Sequence, residues 1–181
     1  MSGSHPVLDA RARALAAPDT VAERAGELLA LVTFTVEREC YGLEARYVRE
    51  IIRAPELTPV PGTSELWLGV MSLRGELLPV VDLRKALGAS AAAPTAEARV
   101  LVLGERHGEL GVLADAVHEV TAVRQDELLE APAATNGAVD LVRAVTSTAL
   151  AVLDGAALLA DPRFVFEQSE DGGRATKEGR S

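Results

Sequence analysis

Aromatic side chains are nearly missing from this sequence: three Phe, two Tyr and one Trp make up 3% of it. Any core must therefore be built from Leu, Val and Ala, which the 48% hydrophobic content supplies in quantity. Cysteine occurs once, at Cys40, so no intramolecular disulfide can form. No stretch approaches the roughly 18–20 consecutive apolar residues that span a bilayer, and the first residues lack the cationic-then-apolar pattern of a secretion leader. Positive charge is also scarce. Against 27 Asp and Glu stand 18 Lys and Arg, a formal net charge of −9, so nucleic acid and anionic membrane are poor partners. Together these absences predict a reduced, cytoplasmic protein that does not insert into a membrane.

Residues that do chemistry are equally sparse. His5, His107 and His118 show no metal-ligand spacing, and no His lies near Cys40 in the chain to act as an activating base. Cys40 is read as a buried or idle thiol. The glycine-containing run Gly69–Glu76 lacks the Gly-Lys-Ser/Thr ending of a phosphate-binding loop. Neither a catalytic residue, a metal nor a cofactor is expected. An enzyme or small-molecule-binding barrel would need a polar constellation lining a cavity, and the sequence offers none.

What the chain does contain is a succession of apolar runs of strand length, punctuated by Gly and Pro, which is the pattern of an all-β protein. The runs predict strands at 30–36, 41–45, 51–53, 57–60, 68–73, 76–82, 98–104, 109–114, 117–123, 139–146 and 149–153, with short helical turns after Asp82 and Asp154. The ends differ from this body. Residues 6–18 have helical composition, and Thr20 with Glu23 forms a capping box opening a second short helix to about Leu29. The tail is polar and Gly-rich, a composition that predicts disorder. The chain is thus divided into a partly helical extension at 1–28, a body at 29–163 and a flexible tail at 164–181, with residues 89–97 a small-residue linker inside the body.

The body repeats itself. At one offset, residues 41–51 lie over 110–120, aligning Gly42 with Gly111, Val48 with Val117, Glu50 with Glu119 and Ile51 with Val120. At a slightly larger offset, 77–87 lie over 149–159, aligning Asp82 with Asp154 and placing Thr146 opposite Arg74. Two halves, 29–88 and 98–160, are each too short to bury a sheet comfortably alone, so they should pack together as two small barrels sharing a seam. A residue present in both halves is more plausibly architectural. Asp82 and Asp154 are therefore read as caps rather than paired catalytic carboxylates. Trp67, the only tryptophan, is read as core filler.

Arg74 has no counterpart in the repeat. It sits with Gly75 between two apolar runs in LGVMSLRGELLPVVDLR (68–84), which reads as strand, tight turn, strand. One reading pairs it with Glu76 as a surface ion pair; the other has its planar, permanently charged fork recognise a partner. Glu50 likewise stands open between strand-end solubility and partner contact.

This stretch resembles the signature of the chemotaxis coupling-protein (CheW-like) family, Gly-Val-x-Asn-Leu-Arg-Gly-x-x-x-Pro-Val-x-Asp-Leu-Arg, with Ser72 where the family has Asn. Val48-Arg49-Glu50-Ile51 matches that family's Val-x-Glu-Ile motif. The resemblance implies two intertwined, SH3-like, five-stranded β-barrels with short helices, with 64–125 in one barrel and the outer pieces in the other. It implies a non-enzymatic adaptor, recruited to receptor arrays, that joins the cytoplasmic tip of methyl-accepting chemoreceptors to the regulatory domain of a CheA-like histidine autokinase. A regulatory variant of another pathway, binding only one of the two, is the alternative. The implied receptor-binding residues are Val48, Glu50, Gly69, Arg74, Val117 and Val120, with Gly75, Asp82 and Asp154 serving turns and caps.

Deleting residues 1–20 and 168–181 is expected to leave the thermal midpoint within about 5 °C of that of the full chain, since neither segment has a wide apolar face to dock. Differential scanning calorimetry of the truncated chain checks this.

Overall fold

The structure, a computed structural model, describes residues 26–88, 95–131 and 141–164. Its strands in chain order are β1 (Leu28–Val36), β2 (Glu39–Glu44), β3 (Val48–Arg53), β4 (Trp67–Leu73), β5 (Glu76–Asp82), β6 (Arg99–Leu103), β7 (Leu110–Ala114), β8 (Ala116–Arg124), β9 (Leu128–Glu130), β10 (Val142–Thr146) and β11 (Ala151–Leu153). Two short helices follow strands, α1 (Leu83–Ala86) after β5 and α2 (Gly155–Ala160) after β11. The sheets run β8-β1-β2-β11-β10-β9 and β3-β6-β7-β5-β4. No described helix is long and apolar enough to cross a membrane.

The two sheets follow the repeat. β8, β1, β2, β11 and β10 in one hold the places of β3, β6, β7, β5 and β4 in the other, including the parallel pairings β11–β2 and β5–β7. The result is two intertwined five-stranded units, with β9 added to the first. Chain segments are shared out differently from the sequence expectation. The sheet expected from 64–125 takes β3 and stops at β7, because β3 pairs with β6 while β8 leaves to pair with β1. The crossovers are a single 3-10 turn (Ala45–Tyr47) and the bend at Asp115. These connections carry the chain from one sheet directly into the other, β2 to β3 and β7 to β8.

Side-chain parity along the strands creates three apolar clusters. Phe34, Tyr41, Leu43 and Leu153 from one sheet meet Val81, Leu101, Leu103, Leu110 and Val112 from the other in a central layer. The alternate positions turn away from it. Leu78, Val80, Val100 and Val102 fill one unit's own interior, and Leu31, Val123, Ala144 and Val152 fill the other's. Gly42 and Gly111, aligned by the repeat, occupy matching interior sites. A Cβ on Gly111 would lie 3.0 Å from both Val80 and Val100, and one on Gly42 would lie 3.2 Å from Leu31.

Four local expectations are revised. Leu28 and Leu29, expected to end a helix, begin β1, where Leu29 pairs with Val123 and packs on the second interior cluster. The strand expected at 57–60 is a single bridge, Thr58 to Val70, because Pro55, Pro59 and Pro61 supply no amide to extend a ladder. β9 occupies the corresponding place beside β10 but was not expected, being only three residues long. Phe164, placed in the tail by sequence, is buried in the central layer, so the body reaches at least that far. The helices expected before residue 26, most of the 89–97 linker, residues 139–140 and the rest of the tail lie outside the described residues. Trp67 is half-buried and packs against the central layer.

Asp82 and Asp154 cap the two helices. Asp82 accepts from the Arg84 amide at 3.0 Å and Asp154 from the Ala157 amide at 3.0 Å. The two helices are then tied to their crossovers by different chemistry. The Arg84 side chain is only 3% exposed and bonds both oxygens of Asp82, at 2.8 and 2.9 Å. It also lies 3.6 Å from Asp115 at the β7–β8 bend. Asp115 in turn accepts the Glu37 amide from the β1–β2 turn at 2.6 Å. At the matching joint, Gly155 lies under the ring of Tyr47 with no room for a Cβ. Arg84→Ala is expected to cost about 3–5 kcal/mol by leaving the Asp82 carboxylate buried and unpaired, measured by urea denaturation.

Candidate functional site

The hairpin singled out by sequence is β4–β5. Leu73 pairs with Glu76, so Arg74 and Gly75 form a two-residue turn. Both carry positive φ, 52° and 89°, the sign pattern of a type I′ turn, whose twist suits a tight hairpin. Glycine meets that demand freely and arginine does not. The Arg74 side chain is 79% exposed and reaches back to Glu50 of β3, with Nη2 3.0 Å from Oε2. The ion pair is therefore with Glu50, not with the neighbouring Glu76. Two residues reached through separate motifs are brought into direct contact.

The other site residues divide. Val48 in β3 and Val117 in β8 are half-buried against the central layer, one from each sheet. Both start irregular steps in their ladders, Val48 before Glu50 and Val117 opposite Phe34. Val120 stands 63% exposed, and Ile51, which the repeat aligns with it, is 43% exposed. Glu119, the repeat partner of Glu50, instead bonds Thr33 through its backbone. Gly69 is buried and has φ 140°, and a Cβ there would run into the Thr58 carbonyl. It has a local reason to be glycine, the close approach that permits the Thr58–Val70 bridge.

The ladder register corrects one alignment. Gly69 pairs with Val80 and Ala144 with Val152, each beyond a matching irregularity. The connection from Ala144 to Val152 is the shorter, so Thr146 corresponds to Met71 rather than to Arg74. Thr146 is buried, and its hydroxyl accepts the Leu150 amide at 3.1 Å. The Arg74 tip therefore has no counterpart in the second unit.

A cavity of about 360 Å³ opens beside the tip, walled by Arg74, Glu50, Leu77 and Leu78. Glu76, Arg49, Arg106 and His107 also line it, and sequence reasoning named none of these four as site residues. Arg106 and His107 belong to the β6–β7 loop. Its base is set by Gly104, whose amide donates to the Tyr47 carbonyl at 3.0 Å, and by the Glu109 amide bond to Leu103 at 2.7 Å. Gly108 then lies against Val102, Leu73 and Leu78, which lays the loop on the hairpin. The signal available in the sequence was Arg106-His107 between two glycines, Gly104 and Gly108.

No group of His, Cys, Asp and Glu able to hold a metal occurs among the described residues. Cys40 is exposed rather than buried; Thr35 lies 4.0 Å from its sulfur and bonds His118 Nε2 at 2.6 Å.

The CheW-like domain model matches residues 30–163. The chain belongs to the CheW-like family. Among its relatives, the chemotaxis protein CheW of Rhizobium meliloti is 31% identical over 140 residues, covering 77% of this chain and 88% of that protein. The chemotaxis protein CheW of Bacillus subtilis is 32% identical over 102 residues, a match that takes in 56% of this chain and 65% of that protein. The scaffolding protein TtCheW of Thermoanaerobacter tengcongensis superposes with a TM-score of 0.65 at 26% identity, covering 71% of this chain and 90% of that one.

Gly69→Ala is expected to destabilise the protein by about 2–3 kcal/mol, since it adds a backbone clash to a strained φ. Gly75→Ala, with open space around it, should cost only about 1–2 kcal/mol. Parallel thermal melts of the two variants test the difference.

Proposed function

We propose that this CheW-like protein is a non-enzymatic adaptor that couples methyl-accepting chemoreceptors to a CheA-type histidine autokinase in the cytoplasm. Family membership supports the adaptor role, as do relatives named chemotaxis proteins and a solved neighbour described as a scaffolding protein. The observation that carries the receptor contact is the Arg74–Glu50 pair. It presents an exposed guanidinium joined to the strand that carries Val48, and Val48 and Val117 pack against the central layer from the two sheets, the apolar seam of this reading. A helical segment laid along that seam would bury apolar side chains against Val48, Val117 and Val120 while Arg74 bonds its polar groups. The kinase regulatory domain, sharing the double-barrel fold, would pair with the barrel ends, away from the tip.

Arg74→Ala should leave folding intact, because an ion pair this exposed contributes about 0–1 kcal/mol. Binding to chemoreceptor should weaken by about 1–3 kcal/mol, the usual loss for an interface arginine, and binding to the kinase domain should be unchanged. Titration calorimetry with each partner separately measures both. Equal receptor affinity for variant and wild type would remove Arg74 from the site.

A further inference from the structure

We infer that the β6–β7 loop is a second, electrostatic part of the receptor contact, in which Arg106 takes a carboxylate on the partner helix. The inference rests on the receptor-side reading of Arg74 and names the chemistry of the partner surface beside it.

The cavity at the hairpin tip is lined by three guanidinium groups, Arg49, Arg74 and Arg106, and one imidazole, His107. Only two carboxylates, Glu50 and Glu76, face them. Glu50 is engaged by Arg74, and Arg49 donates to the Arg46 carbonyl. Arg106 is exposed and forms no hydrogen bond or ion pair among the described residues. A patch with surplus cations is unusual on a chain whose formal charge is −9. Most of this surface repels acidic partners, so a local cationic rim both attracts and orients a segment bearing Glu or Asp.

Geometry supports the same reading. Gly108 seats the loop on Leu73 and Leu78, so Arg106 and Arg74 approach one cavity from separate elements. Leu77, 61% exposed, provides an apolar wall of that cavity between them. A helix presenting an apolar residue to Leu77 and a carboxylate one turn away would satisfy both. Arg106 gives bidentate geometry to that carboxylate, which a lysine would meet only as a point charge.

The test uses the full chain and membrane vesicles carrying a full-length methyl-accepting chemoreceptor, with affinity read by co-sedimentation across a salt series. Arg106→Glu should weaken binding by about tenfold or more at low salt, with the loss shrinking as salt rises, while Arg106→Lys loses only about threefold. Changing one acidic residue of the receptor tip to Lys should recover binding to Arg106→Glu. If Arg106→Glu binds like wild type while Arg74→Ala is impaired, the inference fails and the Arg74 site stands. If neither variant is impaired, both fail. A loss confined to the kinase domain, or one insensitive to salt, also overturns it.

Discussion

The apolar layer between the two sheets is filled from both sides, by Phe34, Tyr41 and Leu43 on one and by Val81, Leu101 and Val112 on the other. Each of these strands must also bury its opposite face, because the interior of its own unit lies there. The consequence is visible in β6, where Val100, Leu101, Val102 and Leu103 are all fully buried, with odd and even positions serving different clusters. With so few aromatics, the layer depends on close packing of branched aliphatic chains. Neither unit could leave the other without exposing this layer, which is why the two behave as one body and why the chain crosses between them twice.

Charge enters this body only where the apolar layer ends. Asp82, Arg84 and Glu44 are the buried acidic and basic residues among those described. Arg84 joins α1 to the β7–β8 bend through Asp82 and Asp115, and Glu44, at the end of β2, holds Arg46 and Arg143. The cost of taking these groups out of water is offset by multiple bonds with good geometry. The matching joint packs Gly155 under the Tyr47 ring, with the Arg46 guanidinium 4.8 Å from the ring centre. A duplicated architecture has thus kept its strand order while its two corners diverged in chemistry.

The same divergence separates the hairpins. β10–β11 is short, and Thr146 is turned inward to brace it. β4–β5 is longer, and that extra length carries Arg74 clear of the body to meet Glu50 and the β6–β7 loop. A long hairpin on a double sheet places its tip where the sheets hold it in position but do not bury it.

By itself the sequence determined the all-β class, the duplication, the two helix caps and the tip at Arg74-Gly75. Each of these is written in local chemistry: apolar runs, an Asp before a short helix, a glycine where φ must be positive. Glu50 and Arg74 were both legible from their motifs, and their contact was not, since it depends on β3 and β4 lying at opposite ends of one sheet that curls to bring them together. Tertiary structure alone decided which sheet β3 and β8 join, because alternation such as that of β3 shows which face turns inward but not which strand lies alongside. It also decided that Arg74 has no counterpart in the second unit, which follows from ladder register, and the presence of Arg106 at the same cavity, which follows from a loop packing through Gly108 onto a distant hairpin. Pairing across long sequence separations is set by packing, and no local pattern records it.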